Sequence, residues 1–287
     1  MNPREARAPA MPARPDWPAP RVLASLYFPA EQRVRYAALC TLEGEIAASL
    51  AAGLDHQVAH LRLEWWRAEC ERCARGAAAH PLTRSLAASL APEARPALAA
   101  LTGLVDTATW DLAAATFDTR RELTAYCERW SAAFVEPLAR ATLPEASPAT
   151  RALGCALKEL ELLNALATDA RVGRLHLPLD ELTHARVPAE SLARPPWPEA
   201  LAELLRERHR QLRAALAAAV AVLTPAEQST LGGLVVWALL AGRHSRRAER
   251  ALPGTLAPGE YHAPLDGWRA WRAARGAAAG RLRLKDP

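Results

Sequence analysis

The sequence predicts an almost wholly helical, single-domain bundle, and three observations carry that prediction. Alanine dominates the apolar share, and alanine gives up no side-chain entropy in a helix. β-Branched residues are scarce outside short stretches, so mixed and all-β folds are close to excluded. Apolar residues recur at three- and four-residue steps in one segment after another, which is the period of a helix with one buried face. With 287 residues, 51% of them hydrophobic, the chain has ample material for one large core.

The elements follow in order. Residues 1–20 are rich in Pro, Arg and Ala and lack the apolar run of a signal peptide, so they read as a flexible N-terminal arm. Residues 21–287 read as the domain. Pro29 followed by Glu31 opens a helix that continues to about Ala52, with Leu39, Leu42, Ile46 and Leu50 on its buried face and Gly53 as its stop. The next helix runs to about Arg75, before Gly76, with Leu54, Val58, Leu61 and Trp65 as its expected stripe. His80-Pro81 opens a shorter helix ending near Leu90, and a break at Pro96 precedes a helix from Leu101 to Ala115.

Thr119 reads as an N-cap with Glu122 at the capping-box position, starting a helix that carries Leu123, Tyr126, Cys127, Trp130 and Phe134. Leu143 to Ser147 is a short loop, and a long helix spans about Ala149 to Asp169. Gly173 to Asp180 is a structured turn, and Pro188 to Pro198 a proline-dense connection. Helices over Glu199–Leu223 and Pro225 to about Ala241 follow, the second continued by Arg243, Arg246, Arg247 and Arg250. A last helix covers Leu265 to about Ala279. No apolar stretch reaches membrane-spanning length.

The formal charge is +5, from 36 Lys+Arg against 31 Asp+Glu. The arginines are scattered, which reads as a solvated face, with no nucleic acid as partner and with peripheral membrane contact open to the Arg243–Arg250 segment. Five cysteines, an odd number, do not make a disulfide framework and suit reduced thiols in a cytoplasmic protein, in solution or at a membrane surface. His56 and His60 have ligand spacing but no third ligand. Glu43 and Glu45, two residues apart, point in different directions on a helix. Lys158 and Glu161 read as a local ion pair. Of the adjacent Trp65 and Trp66, one ring is expected in the core and the other at a helix interface or cavity wall.

Four segments, in this order, resemble the squalene/phytoene synthase family. They are Tyr27-Phe28-Pro29 with Arg33 to Leu39; Leu61-Arg62-Leu63-Glu64-Trp65-Trp66-Arg67 with His80-Pro81-Leu82; Asp111-Leu112 with Phe117, Thr119, Glu122-Leu123 and Tyr126-Cys127; and Asp169-Ala170-Arg171 with Gly173-Arg174-Leu175-His176-Leu177-Pro178-Leu179-Asp180. The resemblance spans about residues 22–250. It implies an all-α isoprenoid/terpenoid synthase fold. It also implies, in an active member, two aspartate-rich motifs on facing helices that hold Mg²⁺ against the diphosphates of two isoprenoid substrates during head-to-head condensation.

Carried over position by position, both motifs are depleted. The acidic positions of the first fall on Gly44, Glu45 and Ala48, where only Glu45 keeps a carboxylate. In the second, the usual glutamine falls on Lys158, the asparagine on Glu161, the arginine on Asn164 and the first aspartate on Ala165, leaving Asp169 as the acid. The tyrosine of the Gly-Arg segment is His176. The remnant site is thus Glu45, Glu161, Asp169 and Arg174, with Glu45 and Asp169 as metal ligands only in an active enzyme. The Leu42–Ala47 region resembles a divergent branch that includes a complex I assembly factor and keeps the fold without the metal motifs. The expectation is a catalytically degenerate member, with no cofactor, that binds an isoprenoid or lipid-like ligand or assists assembly of another protein. The alternatives are a Mg²⁺-dependent synthase acting on farnesyl or geranylgeranyl diphosphate, and an interaction protein with a collapsed cavity.

Overall fold

Residues 19–51, 53–140, 143, 147–256 and 263–284 are described by a computed structural model, and helices account for nearly all of their regular structure. In chain order the α-helices are α1 (Ala19–Ala24), α2 (Ala30–Ala47), α3 (His56–Ala74), α4 (Pro81–Ala88), α5 (Thr102–Leu112), α6 (Arg120–Ala139), α7 (Pro148–Arg171), α8 (Leu179–His184), α9 (Glu199–Val222), α10 (Pro225–Thr230), α11 (Gly232–Ala251) and α12 (Asp266–Ala278). Short 3-10 turns cover Ser25–Tyr27, Ala48–Leu50, Pro92–Leu101 and Ala189–Ala193. No strand occurs among the described residues. Nor is any helix among them long and apolar enough to cross a membrane.

Local chemistry explains most boundaries. The Asp55 carboxylate accepts from the amides of Gln57 and Val58 and starts α3, and the Ser147 hydroxyl accepts from Thr150 to start α7. Gly76 and Gly173 end α3 and the α7 turn with φ of +76° and +84°, a region closed to most side chains. α1 begins at Ala19, inside the segment assigned to the arm; residues 1–18, and Glu145 with its neighbours in the 143–147 loop, lie outside the described residues.

Four expectations need correction. The buried line of α3 is Ala59, Leu63, Trp66, Cys70 and Cys73, while Val58, Leu61 and Trp65 are 41%, 65% and 46% exposed. Two apolar stripes interleave on this helix, and periodicity alone does not choose between them. Thr119 precedes α6, but its side chain caps nothing; Glu122 accepts instead from the amide of Asp118. Pro96 lies inside a 3-10 turn rather than at a break. Finally, the helix expected from Pro225 divides at Leu231, because a complete Thr224–Glu227 capping box forms the short α10 before α11 starts at Gly232.

α7 runs through the middle of the molecule, against α6 on one side and α9 on the other. Two glycines set its approach to α6 and that of α11 to the N-terminal segment. A Cβ on Gly154 would lie 2.1 Å from the Ser131 hydroxyl and 2.8 Å from Val135, and one on Gly233 would lie 2.4 Å from the Phe28 ring. The aromatic centre of the core is Phe28, Tyr36, Trp130, Phe134 and Trp237, stacked and edge-on to one another with centroids 4.4–6.2 Å apart. On another side of α7, Arg120 and Arg208 share Glu159 and Glu181, joining α6, α7, α8 and α9.

Candidate functional site

Arg21 of α1 is 4% exposed and lies inside the aromatic centre. Its guanidinium carbon is 5.3 Å from the Trp130 centroid and 5.0 Å from those of Phe134 and Trp237. Tyr36 donates its hydroxyl proton to the Arg21 carbonyl at 3.2 Å. A buried guanidinium persists only when its charge is answered, and two carboxylates answer it. Nε donates to Glu161 Oε1 at 2.6 Å, and the terminal nitrogens donate to Glu43 and again to Glu161. α2 and α7 are thereby joined through one side chain of α1.

Glu43 has two further donors: Trp130 Nε1 at 2.7 Å and Lys158 Nζ at 3.4 Å. Two cations and two carboxylates make the group neutral overall. Burial works against each ion. In Glu43 it is outweighed by Arg21, then Lys158, which hold the carboxyl down to about 2; in Arg21 it is outweighed by Glu161 and Glu43, which keep the pKa well above its ordinary value.

A second buried ionic chain lies at the other end of α7. His176, in the turn between α7 and α8, is 4% exposed. Its Nδ1 is 3.0 Å from Asp169 Oδ2 and its Nε2 3.1 Å from Asp111 Oδ1, while the Tyr126 hydroxyl donates to both Asp111 oxygens at 3.2–3.3 Å. Burial alone would lower the imidazole pKa, but the two carboxylate hydrogen bonds outweigh it and raise it. A ring with a carboxylate at each nitrogen is best satisfied as imidazolium, donating in both directions.

The expected site residues do not come together. Glu45 and Ala48 line an open hollow of about 280 Å³ with Ser49, Arg62, Trp65 and Trp66. Trp66 is the buried ring of the pair, at 7%, and the half-exposed Trp65 is the wall. Glu161, Asn164 and Ala165 line a different cavity of about 260 Å³ with Leu160, Trp237 and Ala241. Asp169 is taken by His176, Gly44 is exposed, and Arg174 donates to the Leu50 carbonyl at 3.3 Å, fastening the α7–α8 turn to the 3-10 turn that follows α2. Lys158 pairs with Glu43 across the bundle, so the local Lys158–Glu161 ion pair is corrected to two long-range ones.

Mg²⁺ requires several converging oxygens. Here each converging pair of carboxylates is bridged by a cationic or proton-bearing side chain: Glu43 and Glu161 by Arg21, Asp111 and Asp169 by His176, and Glu159 and Glu181 by Arg120. Among the described residues no group of three or more His, Cys, Asp or Glu side chains is arranged to hold a metal ion. The residues present do not fit the family's metal cluster. Cys70 and Cys73, pushed up to about 12 and about 11 by burial, are inert core thiols, and His56 and His60 form an exposed pair 3.0 Å apart.

Sequence reasoning passed over Arg21, Glu43 and Asp111 as site residues. Arg21 stands in the apolar run Arg21-Val22-Leu23-Ala24, and a lone charge amid apolar neighbours was the available signal.

A sequence model of the family described as squalene/phytoene synthase matches residues 19–269. No curated protein sequence matches the chain. Among solved structures, a dehydrosqualene synthase determined in complex with ligand is similar over 89% of this chain and 90% of its own, with TM-score 0.71 and 13% identity. Squalene synthase HpnC from Alicyclobacillus acidocaldarius is similar over 82% of this chain and 89% of its own, with TM-score 0.64 and 14% identity. At such identities the likeness is one of fold, and the fold is the all-α isoprenoid synthase type.

Proposed function

The chain belongs to the squalene/phytoene synthase family, and from that premise we propose that it is a member that does not carry out Mg²⁺-dependent head-to-head condensation and instead holds a neutral isoprenoid or lipid-like ligand in the bundle. The observation that carries this reading is the seat of Arg21. A side chain of the protein supplies positive charge between α2 and α7, the two helices that carry the family's motif positions, and takes up Glu43 beside the first motif and Glu161 within the second. Displacing it would expose a buried guanidinium and leave the aromatic ring contacts unfilled.

The adjoining cavity supports the choice of ligand. At about 260 Å³ it lies just under the usual range for small-molecule sites, about 300–1,000 Å³, and has room for one chain rather than two substrates. Leu160, Ala165, Trp237 and Ala241 give it apolar walls beside the polar Thr168 and His244, and its lining carries the carboxylate of Glu161 but no lysine or arginine among the described residues, which disfavours a diphosphate. The side-chain oxygen of Asn164 is buried at its wall without a partner among the described residues, an acceptor suited to a hydroxyl-bearing head. Depletion of the motifs also accords with the divergent branch that includes a complex I assembly factor.

Two assays on the purified chain test the reading. Incubation with farnesyl and geranylgeranyl diphosphate, with and without Mg²⁺, should release no diphosphate and yield no hydrocarbon by mass spectrometry. Farnesol should quench tryptophan fluorescence at lower concentration than farnesyl diphosphate. Mg²⁺-dependent product overturns the loss of condensation, and a preference for the diphosphate overturns the neutral ligand.

A further inference from the structure

On the far side of α11 from Arg21, a cleft of about 500 Å³ opens between α9, α11, α12 and residues 282–284. Its lining includes Arg213, Arg243, Arg246, Arg269, Arg272 and Arg283, and no acidic side chain among the described residues. The carboxylates nearby are committed: Asp266 to Arg243 and Arg247, and Glu249 to Arg213. Arg269 and Arg272 have no carboxylate partner among the described residues. Arg213 is 6% exposed, and its Nε is buried with no hydrogen-bond partner among the described residues. Leu216, Leu239 and Ala273 make the floor apolar.

The mouth of this cleft is aromatic. α12 buries Ala270, Ala273 and Ala277 and turns outward Leu265, Trp268 and Trp271, which are 54%, 52% and 48% exposed. Each indole lies beneath an arginine one turn further on, Arg272 at 4.8 Å from Trp268 and Arg275 at 5.1 Å from Trp271. Isolated exposed apolar side chains are ordinary, but tryptophan interleaved with arginine on one helix face beside an arginine-walled cleft is the composition of a surface that meets lipid headgroups.

We propose that α12 and the arginine cleft form a docking site for an anionic phospholipid surface. The indoles of Trp268 and Trp271 enter the interface, and a headgroup phosphate enters the cleft among Arg213, Arg269 and Arg272. The site is separate from the cavity beside Arg21, so it stands or falls independently of the ligand proposed there.

The test is co-sedimentation of the full chain with vesicles of phosphatidylcholine alone and of phosphatidylcholine mixed with phosphatidylglycerol. The chain should partition onto the mixed vesicles and not the neutral ones, and brominated acyl chains should quench its tryptophan fluorescence. The R269Q/R272Q double variant should partition about 30-fold less, from about fivefold per basic residue at the surface. W268A/W271A should lose the bromine quenching. Both variants change the outer face of α12, so circular dichroism and melting should match the unaltered chain. Equal partition onto neutral vesicles, no partition onto anionic ones, or partition unchanged in R269Q/R272Q overturns the proposal. So does calorimetric binding of inorganic diphosphate by a chain that ignores the vesicles, which marks the cleft as a site for a soluble anion.

Discussion

Replacing Arg21 with methionine keeps most of the side-chain volume and removes the charge. The buried group then holds Glu43 and Glu161 against Lys158 alone, one carboxylate in excess, within 3.4 Å reach of Lys158 only at Glu43. Among the described residues Glu161 then keeps no cation. Breaking a buried ion pair from one side costs about 3–5 kcal/mol because the abandoned charge stays buried. R21M should therefore unfold at markedly lower urea concentration at pH 7, with an unchanged slope. The double variant R21M/E161Q restores neutrality and should recover more than half of the loss. R21M should also gain from acid, since protonating the stranded carboxylate relieves it. Finally, Mg²⁺ at millimolar concentration should raise the melting temperature of R21M and leave the unaltered chain where it was. A loss under about 1 kcal/mol in R21M, or no recovery on adding E161Q, would refute the claim that Arg21 answers these carboxylates.

Other perturbations read other parts of the structure. Gly154→Ala places a methyl group 2.1 Å from Ser131 Oγ and 2.8 Å from Val135 at the α6–α7 crossing, and should cost about 1–3 kcal/mol in denaturant unfolding; a neutral result would mean the two helices separate freely. Two buried histidines make stability depend on pH with opposite signs. His209, beside Ser245, Arg213 and His244, is depressed to about 4 by burial and then by the cations near it. Between pH 6.5 and 4 the unfolded chain takes up a proton that the folded one refuses, so stability falls by about 3 kcal/mol. His176 is raised, so its contribution is fully present below pH 6.5 and is lost as pH rises through its folded pKa. Urea midpoints measured across pH should lose the acid limb in His209→Gln and the alkaline limb in His176→Gln; a limb that persists in its variant assigns it to other groups.

The helices were legible because alanine bias, proline starts and glycine stops act within a few residues, and α7 and α12 fall within two residues of their expected ends. The face of α3 was not, because Leu61 and Trp65 are as apolar as Leu63 and Trp66, and only the packed neighbours decide between them. That no acid stands at Gly44, Ala48, Asn164 or Ala165 could be read directly. What the neighbouring Glu43 and Glu161 meet could not. Glu43 was set aside because it does not share a direction with Glu45, yet that same geometry sends it to Arg21 and Trp130. His176 was visible in its turn, but its role lay in Asp111, 65 residues away. A charge amid apolar neighbours can mark Arg21 locally, but nothing local names the partners it meets across the bundle.

The seat of Arg21 also sets a schedule for synthesis. Its partner Glu161 follows it by 140 residues, which at about 5–20 residues per second is about 7–28 s of elongation. Until Glu161 is made, α1 has at most one of its two carboxylates, Glu43, in reach, and a guanidinium facing water has no reason to enter an apolar centre. α1 therefore docks late, and a nascent chain halted before α7 leaves this helix exposed to chaperones and proteases.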